Sequence, residues 1–295
     1  MAPAFRIGLY AFPQAAPYAA MLDVARRAEG LGFDSLWVAD ETPMAYPGTI
    51  GFEAFASLAA LARDTTRIML GTLVTPVVLR HPLLTAMAAA TVDQASGGRF
   101  ILGMGVGGVP ADNAGVGEPN RPAAELVERL DEQLDTIDRL LRGETVTREG
   151  GFYPTRDAVV ERPVQQPRPA LLVAAQGRRS LEVAARRADI WNSTGGQPIV
   201  GDPVTRAEAL AVTRRHCDIL GEACAAIGRD PATIRRSLFA WRSGAYASID
   251  AVEEWVGQYR ELGFEEFIFI WPGEPAKDAV VEHVASDIAP RFRVG

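Results

Sequence analysis

Hydrophobic positions along the chain follow two alternating rhythms. Short β-prone runs at residues 5–10, 34–39, 67–74, 99–105, 170–174, 189–192, 234–241 and 266–271 are almost continuously apolar. That is the signature of parallel strands buried on both faces. Between and after them, apolar residues recur at helical spacing over 18–31, 52–63, 82–95, 126–141, 179–187, 206–227, 251–262 and 276–288. In the fourth of these, Leu126, Leu130, Leu134, Ile137 and Leu141 form one stripe with charges opposite. Strict alternation of eight and eight predicts a parallel α/β fold, and this repeat number points to a (β/α)8 TIM barrel. An open doubly wound sheet is the alternative.

Two segments are longer than ordinary connections. Residues 107–122 hold four Gly and three Pro, and residues 143–168 contain GETVTREGGFYP, which reads as a small hairpin. Both are expected as insertions at the C-terminal face of one domain spanning 1–295, where they would shape the pocket. No linker, charge block or short repeat interrupts that domain.

Composition narrows the function. A net charge of -7 speaks against a nucleic-acid surface. No run of about 18 apolar residues exists, so no membrane span is expected. The start, MAPAFRIGLYAF, lacks the pattern of a signal peptide. The only cysteines, Cys217 and Cys224, are roughly 10 Å apart along one expected helix, too far to bridge, and a cytoplasmic location is the simplest reading. The cations are 29 Arg and one Lys, Lys277, and the histidines are His81, His216 and His283.

On a barrel the active site lies at the C-terminal ends of the strands. Tyr10, Phe12, Trp241 and Trp271 fall there as candidate substrate-pocket residues, with Asp40 and Glu41 as the carboxylates. His216 and His283 fall on outer helices, and His81 reads as a packed residue before Pro82 at a helix start. A metal centre, a Schiff-base lysine, a nucleophile elbow and a facing carboxylate pair are therefore not expected. So little reactive chemistry implies a cofactor. The run Gly103–Gly108 matches G-x-G-x-x-G, but VPADNAGVGEPNRP follows it and cannot continue a helix, so a Rossmann site is disfavoured. Ala174, Ala175, Gln176, Gly177, Arg178 and Arg179 end a strand and open a helix, where free N–H groups suit an anion. The segment NSTGGQ, with Asn192, Ser193, Thr194 and Gly195, offers further donors.

GFDSLWVADE, RIMLGTLVTP, RHPLLTAMAAATVDQASGGRFILGMGVG and PVQQPRPALLVAAQGRRSLEVAARRADIWN resemble the bacterial luciferase-like superfamily of flavin and deazaflavin (coenzyme F420) enzymes. The resemblance covers about residues 5–200 well. It implies a (β/α)8 barrel, a frequent homodimer, and a bulge at Thr72, Leu73 and Val74 behind the cofactor ring, often with a non-prolyl cis peptide. It implies a cofactor-lining turn at Gly105, Val106, Gly107 and Gly108, and phosphate-side loops at 175–178 and 193–196. The sugar-phosphate dehydrogenases of the superfamily place His where this chain has Glu41, and Glu where it has Gly108. Their acid–base pair is thus absent. Glu41 either donates a proton, anchors the substrate or caps the next loop; a carboxyl beside an apolar ring holds its proton tightly, as a general acid requires.

The resemblance therefore implies an F420-dependent oxidoreductase acting on a C=C, C=N or C=O of a small molecule. The alternatives are an FMN-dependent monooxygenase fed by a partner flavin reductase, and a non-catalytic flavin-binding protein.

Overall fold

The computed structural model describes residues 5–11, 17–42, 51–107, 110–271 and 275–293. Phe12 and Gly108 lie outside them. The strands are β1 (Arg6–Ala11), β2 (Ser35–Val38), β3 (Met69–Thr72), β4 (Thr75–Pro76), β5 (Phe100–Gly105), β6 (Val146–Arg148), β7 (Thr155–Ala158), β8 (Ala170–Ala174), β9 (Ile190–Ser193), β10 (Arg235–Phe239) and β11 (Glu266–Ile270). The helices are α1 (Tyr18–Leu31), α2 (Ala54–Asp64), α3 (Pro82–Ser96), α4 (Pro110–Gly115), α5 (Ala123–Leu141), α6 (Arg178–Arg187), α7 (Arg206–Ala226), α8 (Ile249–Arg260), α9 (Pro275–His283) and α10 (Ala289–Arg293).

Eight strands pair in parallel in the order β3, β2, β1, β11, β10, β9, β8, β5, and the pairing of Leu70 with Phe100 and Gly71 with Ile101 closes the ring. The structure is a (β/α)8 barrel, and closure rules out the open sheet. All eight expected strands are present, each within about two residues of its expected ends.

Two layers of apolar side chains hold the barrel. Leu9, Leu36, Leu70, Leu102, Leu171 and Phe267 face outward onto the helices, where the α5 stripe of Leu130, Leu134, Ile137 and Leu141 is fully buried. Inside, Tyr10, Trp37, Leu73, Ile101, Leu172, Ile190 and Ile268 fill the lumen. Trp37 fits because two neighbouring strands carry no side chain beside it. A Cβ on Gly71 would stand 2.5 Å from its ring, and one on Gly8 2.8 Å from its Nε1. The indole N–H donates to Ser35 Oγ at 2.8 Å, and Ser35 donates to buried Glu266 at 3.0 Å.

The connections depart from expectation in three places. The glycine turn is followed by α4, six residues opened by Pro110, where a missing N–H costs nothing. The hairpin forms, but its second strand is Thr155–Ala158, beyond the quoted motif. It packs along α5 instead of the pocket: Glu132 accepts the N–H groups of Phe152 and Tyr153, and Arg148 pairs with Asp135 at 2.8 Å. The last helical stretch is three pieces, α9, a π turn at Val284–Ile288, and α10. Among the described residues no helix is long and apolar enough to cross a membrane.

Candidate active site

A cleft of about 730 Å³ opens at the C-terminal ends of the strands. Its first wall is built at the end of β3. Thr72 Oγ1 donates to Gly103 O at 2.8 Å and accepts Gly103 N–H at 3.0 Å, locking β3 to β5. The chain then bulges through Leu73 and Val74 before pairing again as β4, and the Leu73–Val74 peptide is cis. Leu73 N–H donates to Val38 O at 2.9 Å, which turns Leu73 and Val74 toward the cleft. Gly105 completes this wall, since a Cβ there would lie 2.8 Å from Val74 Cγ2. Val106 and Gly107 extend it.

Beyond β8, Ala174, Gln176 and Gly177 line the cleft and lead into α6. The first turn of α6 has no side-chain cap, because Ser180 Oγ accepts only the N–H of Gly177, at 3.2 Å. The N–H groups beyond it, with exposed Arg178 and Arg179, make a positive end suited to an anion. Arg178 also pairs with Glu222 at 3.2 Å. From β9, Asn192 and Thr194 face the cleft, with Asn192 donating to Ser237 Oγ at 3.1 Å. Tyr10, Phe239 and Trp241 form an aromatic side: ring centroids are 5.0 Å apart for the first pair and 5.9 Å, near parallel, for the second.

The two candidate carboxylates separate. Glu41 lines the cleft. Asp40 does not. It is buried, and Arg80 takes both its oxygens at 2.9 and 3.0 Å while also bonding Glu53, the N-cap of α2, at 2.5 Å. The hydrogen bond to Asp40 lifts Arg80 above the ordinary arginine range against the pull of burial. Asp40 is thus a strut tying the end of β2 to α2 and to the segment before α3.

Five other expected residues also turn away from the cleft. Thr72 is spent on Gly103, and Ala175 O accepts Trp191 Nε1 at 2.9 Å. Ser193 Oγ accepts the N–H of Gly195 at 3.1 Å, and Gly195 O accepts Tyr259 OH at 2.6 Å. Burial pushes that phenol up to about 12. Trp271 packs into the shell outside the barrel, under the Arg27 guanidinium at 4.4 Å. His81 caps α3, its Nδ1 accepting Leu83 N–H at 3.2 Å. No sequence signal marks Pro76, Ala123, Ala124 and Val127, which carry no chemistry, or Ile199 and Val200 on the loop after β9. Phe239 was hidden within a strand, and Arg242 lies just past Trp241.

No Lys, His or Cys lines the cleft among the described residues. The cluster Glu253, His283 and Asp287 lies on outer helices, and Arg291 already pairs with both of its carboxylates.

A family model described as luciferase-like monooxygenase matches residues 5–266. An F420-dependent glucose-6-phosphate dehydrogenase of Microbacterium testaceum is 34% identical across 64% of this chain, and the match spans just over half, 55%, of that protein. One of the same name from Beutenbergia cavernae is 30% identical over 90% of this chain and 91% of its own. The coenzyme F420-dependent tetrahydromethanopterin reductase of Methanopyrus kandleri superposes with a TM-score of 0.81 at 19% identity, covering 98% of this chain and 99% of that one, a likeness of fold. The bulged third strand, the glycine turn after the fourth barrel strand and the matched sequence agree: this chain belongs to the luciferase-like monooxygenase family.

Proposed function

We propose that the protein is an F420-dependent oxidoreductase acting on a C=C, C=N or C=O of a small organic substrate. One observation carries the reading: a large apolar cleft whose described lining contains a single carboxylate, Glu41, and no Lys, His or Cys. Such a site positions reactants and leaves the bond chemistry to a cofactor. The F420-dependent names of the curated relatives support this cofactor over FMN.

The residues present fit the group. Leu73, Val74 and the bare backbone of Gly105 offer a flat apolar backing for a ring. The open start of α6, with Arg178 and Arg179, suits the phosphate side. Gln176 Oε1 is buried without a partner, an acceptor that a bound ligand would satisfy. When bound, F420 supplies hydride transfer. The chain supplies the rest: the aromatic and aliphatic walls exclude water, and Glu41 holds the proton that the substrate exchanges. Glu41 and Gly108, standing where the superfamily's sugar-phosphate enzymes have His and Glu, speak against a sugar-phosphate substrate.

Fluorescence titration tests the cofactor. Micromolar binding of F420, with FMN weaker, is expected; micromolar FMN binding with none for F420 overturns the reading.

A further inference from the structure

The chain between β9 and α7 leaves the barrel through a tightly held neck. Thr194 Oγ1 donates to Gln197 O at 2.6 Å, and both residues are buried. Gln197 then ties the loop to itself: its Nε2 donates to Val204 O at 2.9 Å, and its Oε1 accepts Val204 N–H at 3.0 Å. Gly196 lets the neck lie against the first turn of α7, since a Cβ there would stand 2.1 Å from Ala209 O. A loop whose ends are tied this closely is a compact Ω-type unit.

Burial stops abruptly beyond the neck. Ile199 is 43% and Val200 70% exposed although both line the cleft, so they stand on its rim. Pro198 and Pro203 bracket this tip and fix φ in both of its arms. In the ring of strands β9 is opposite β2, so the tip reaches the mouth from the side that faces Glu41. Among the described residues, one hydrogen bond ties residues 198–203 to another part of the chain: the Arg242 guanidinium donates to Gly201 O. The same guanidinium lies 5.3 Å over the Trp241 ring, whose plane is 19° from that of Phe239 in the cleft wall. The loops after β9 and β10 are thus joined at the rim through one exposed side chain. Such contacts are individually weak and open readily, while Ile199 and Val200 gain from apolar contact with whatever fills the cleft.

We infer that residues 198–203 form a strap at the mouth of the cleft and that Arg242 is the positioning residue that latches it to the Trp241 wall, opening for each ligand to enter or leave. This rests on reading the cleft as the active site, and it adds to that reading the step that gates exchange.

Arg242→Gly is the informative variant. The φ of 51° at this position is a left-handed conformation that glycine adopts freely, so the backbone is kept while the latch is lost. Two measurements read it. The first needs no cofactor: Val200→Cys is labelled with bimane in a Cys217→Ser background, where a neighbouring Trp quenches the label. Emission is expected to be low, and to rise several-fold when either Arg242→Gly or Trp241→Phe is added, with melting temperature unchanged for Arg242→Gly. The second is stopped-flow exchange of F420 with the unlabelled protein. Arg242→Gly should speed both association and release by about tenfold, one hydrogen bond's worth, and leave Kd within about twofold. A direct contact between Arg242 and an anionic ligand would do the opposite, slowing association and raising Kd. The inference is overturned if Arg242→Gly leaves bimane emission unchanged, or if F420 association is unchanged or slower. Failure of wild type to bind F420 would refute the proposed cofactor instead, and the bimane result alone would then decide the latch.

Discussion

Arg80 grips both carboxylate oxygens of Asp40, Nε to Oδ2 at 3.0 Å and Nη2 to Oδ1 at 2.9 Å. Removing the cation leaves a carboxylate side chain only 5% exposed without its partner. Arg80→Ala should therefore lower the unfolding free energy by about 3 kcal/mol, allowing for the partial exposure of Arg80. Urea denaturation reads this directly, and a midpoint equal to wild type would show that the pair contributes nothing.

The adjacent carboxylate should behave differently. Glu41→Gln keeps the shape of the side chain and removes its exchangeable acid. Turnover should fall by about a hundredfold, the lower end for a general acid, with F420 affinity unchanged. Turnover preserved across the pH range would make Glu41 structural.

Glycines of the strand ends predict a graded series. A Cβ on Gly103 would stand 1.9 Å from the backbone oxygen of Thr72, which cannot move without breaking the β3–β5 lock. Gly103→Ala should cost more than the roughly 1–3 kcal/mol of an ordinary overpacked methyl, visible as insolubility or a large drop in melting temperature. Gly105→Ala meets only a side-chain end of Val74 and puts a methyl into the cleft wall. It should fold and bind cofactor more weakly. Equal melting temperatures for the two variants would contradict the series.

His216 provides a pH dependence. Burial in α7, with Arg215 adding to it, holds this imidazole below its ordinary value of 6.5. The unfolded chain therefore takes up this proton at higher pH than the folded one. The stability it confers is fully present above pH 6.5 and declines as pH falls through the lower folded value. Melting temperatures between about pH 7.5 and 5.5 should fall more for wild type than for His216→Leu. Parallel curves would remove His216 from the account.

The barrel was legible because eight buried strands must be apolar nearly throughout, a pattern that needs no partner to be seen. The cleft was legible wherever a strand's end alone decides the location, as for Glu41, Val74, Gly105 and Gln176. It failed where a side chain's facing depends on the irregular turn after the strand. Ala175 and Ser193 alternate away from neighbours that line the cleft, and Trp271 swings outward onto Arg27. It failed again for Asp40, whose partner lies forty residues on in a loop. The hairpin was visible in its turn residues, but its docking against Glu132 depends on α5, which no local pattern reveals.

Trp37 fills the lumen beneath the cleft, with Gly8 and Gly71 closed around it. The cup is therefore filled at its base by Trp37, and ligands enter it from the side where the strands end. Two ligands sharing such a cup cannot exchange independently. The one seated deeper enters first and leaves last, so steady-state kinetics should follow a compulsory order, with the outer product leaving before the inner ligand can exchange.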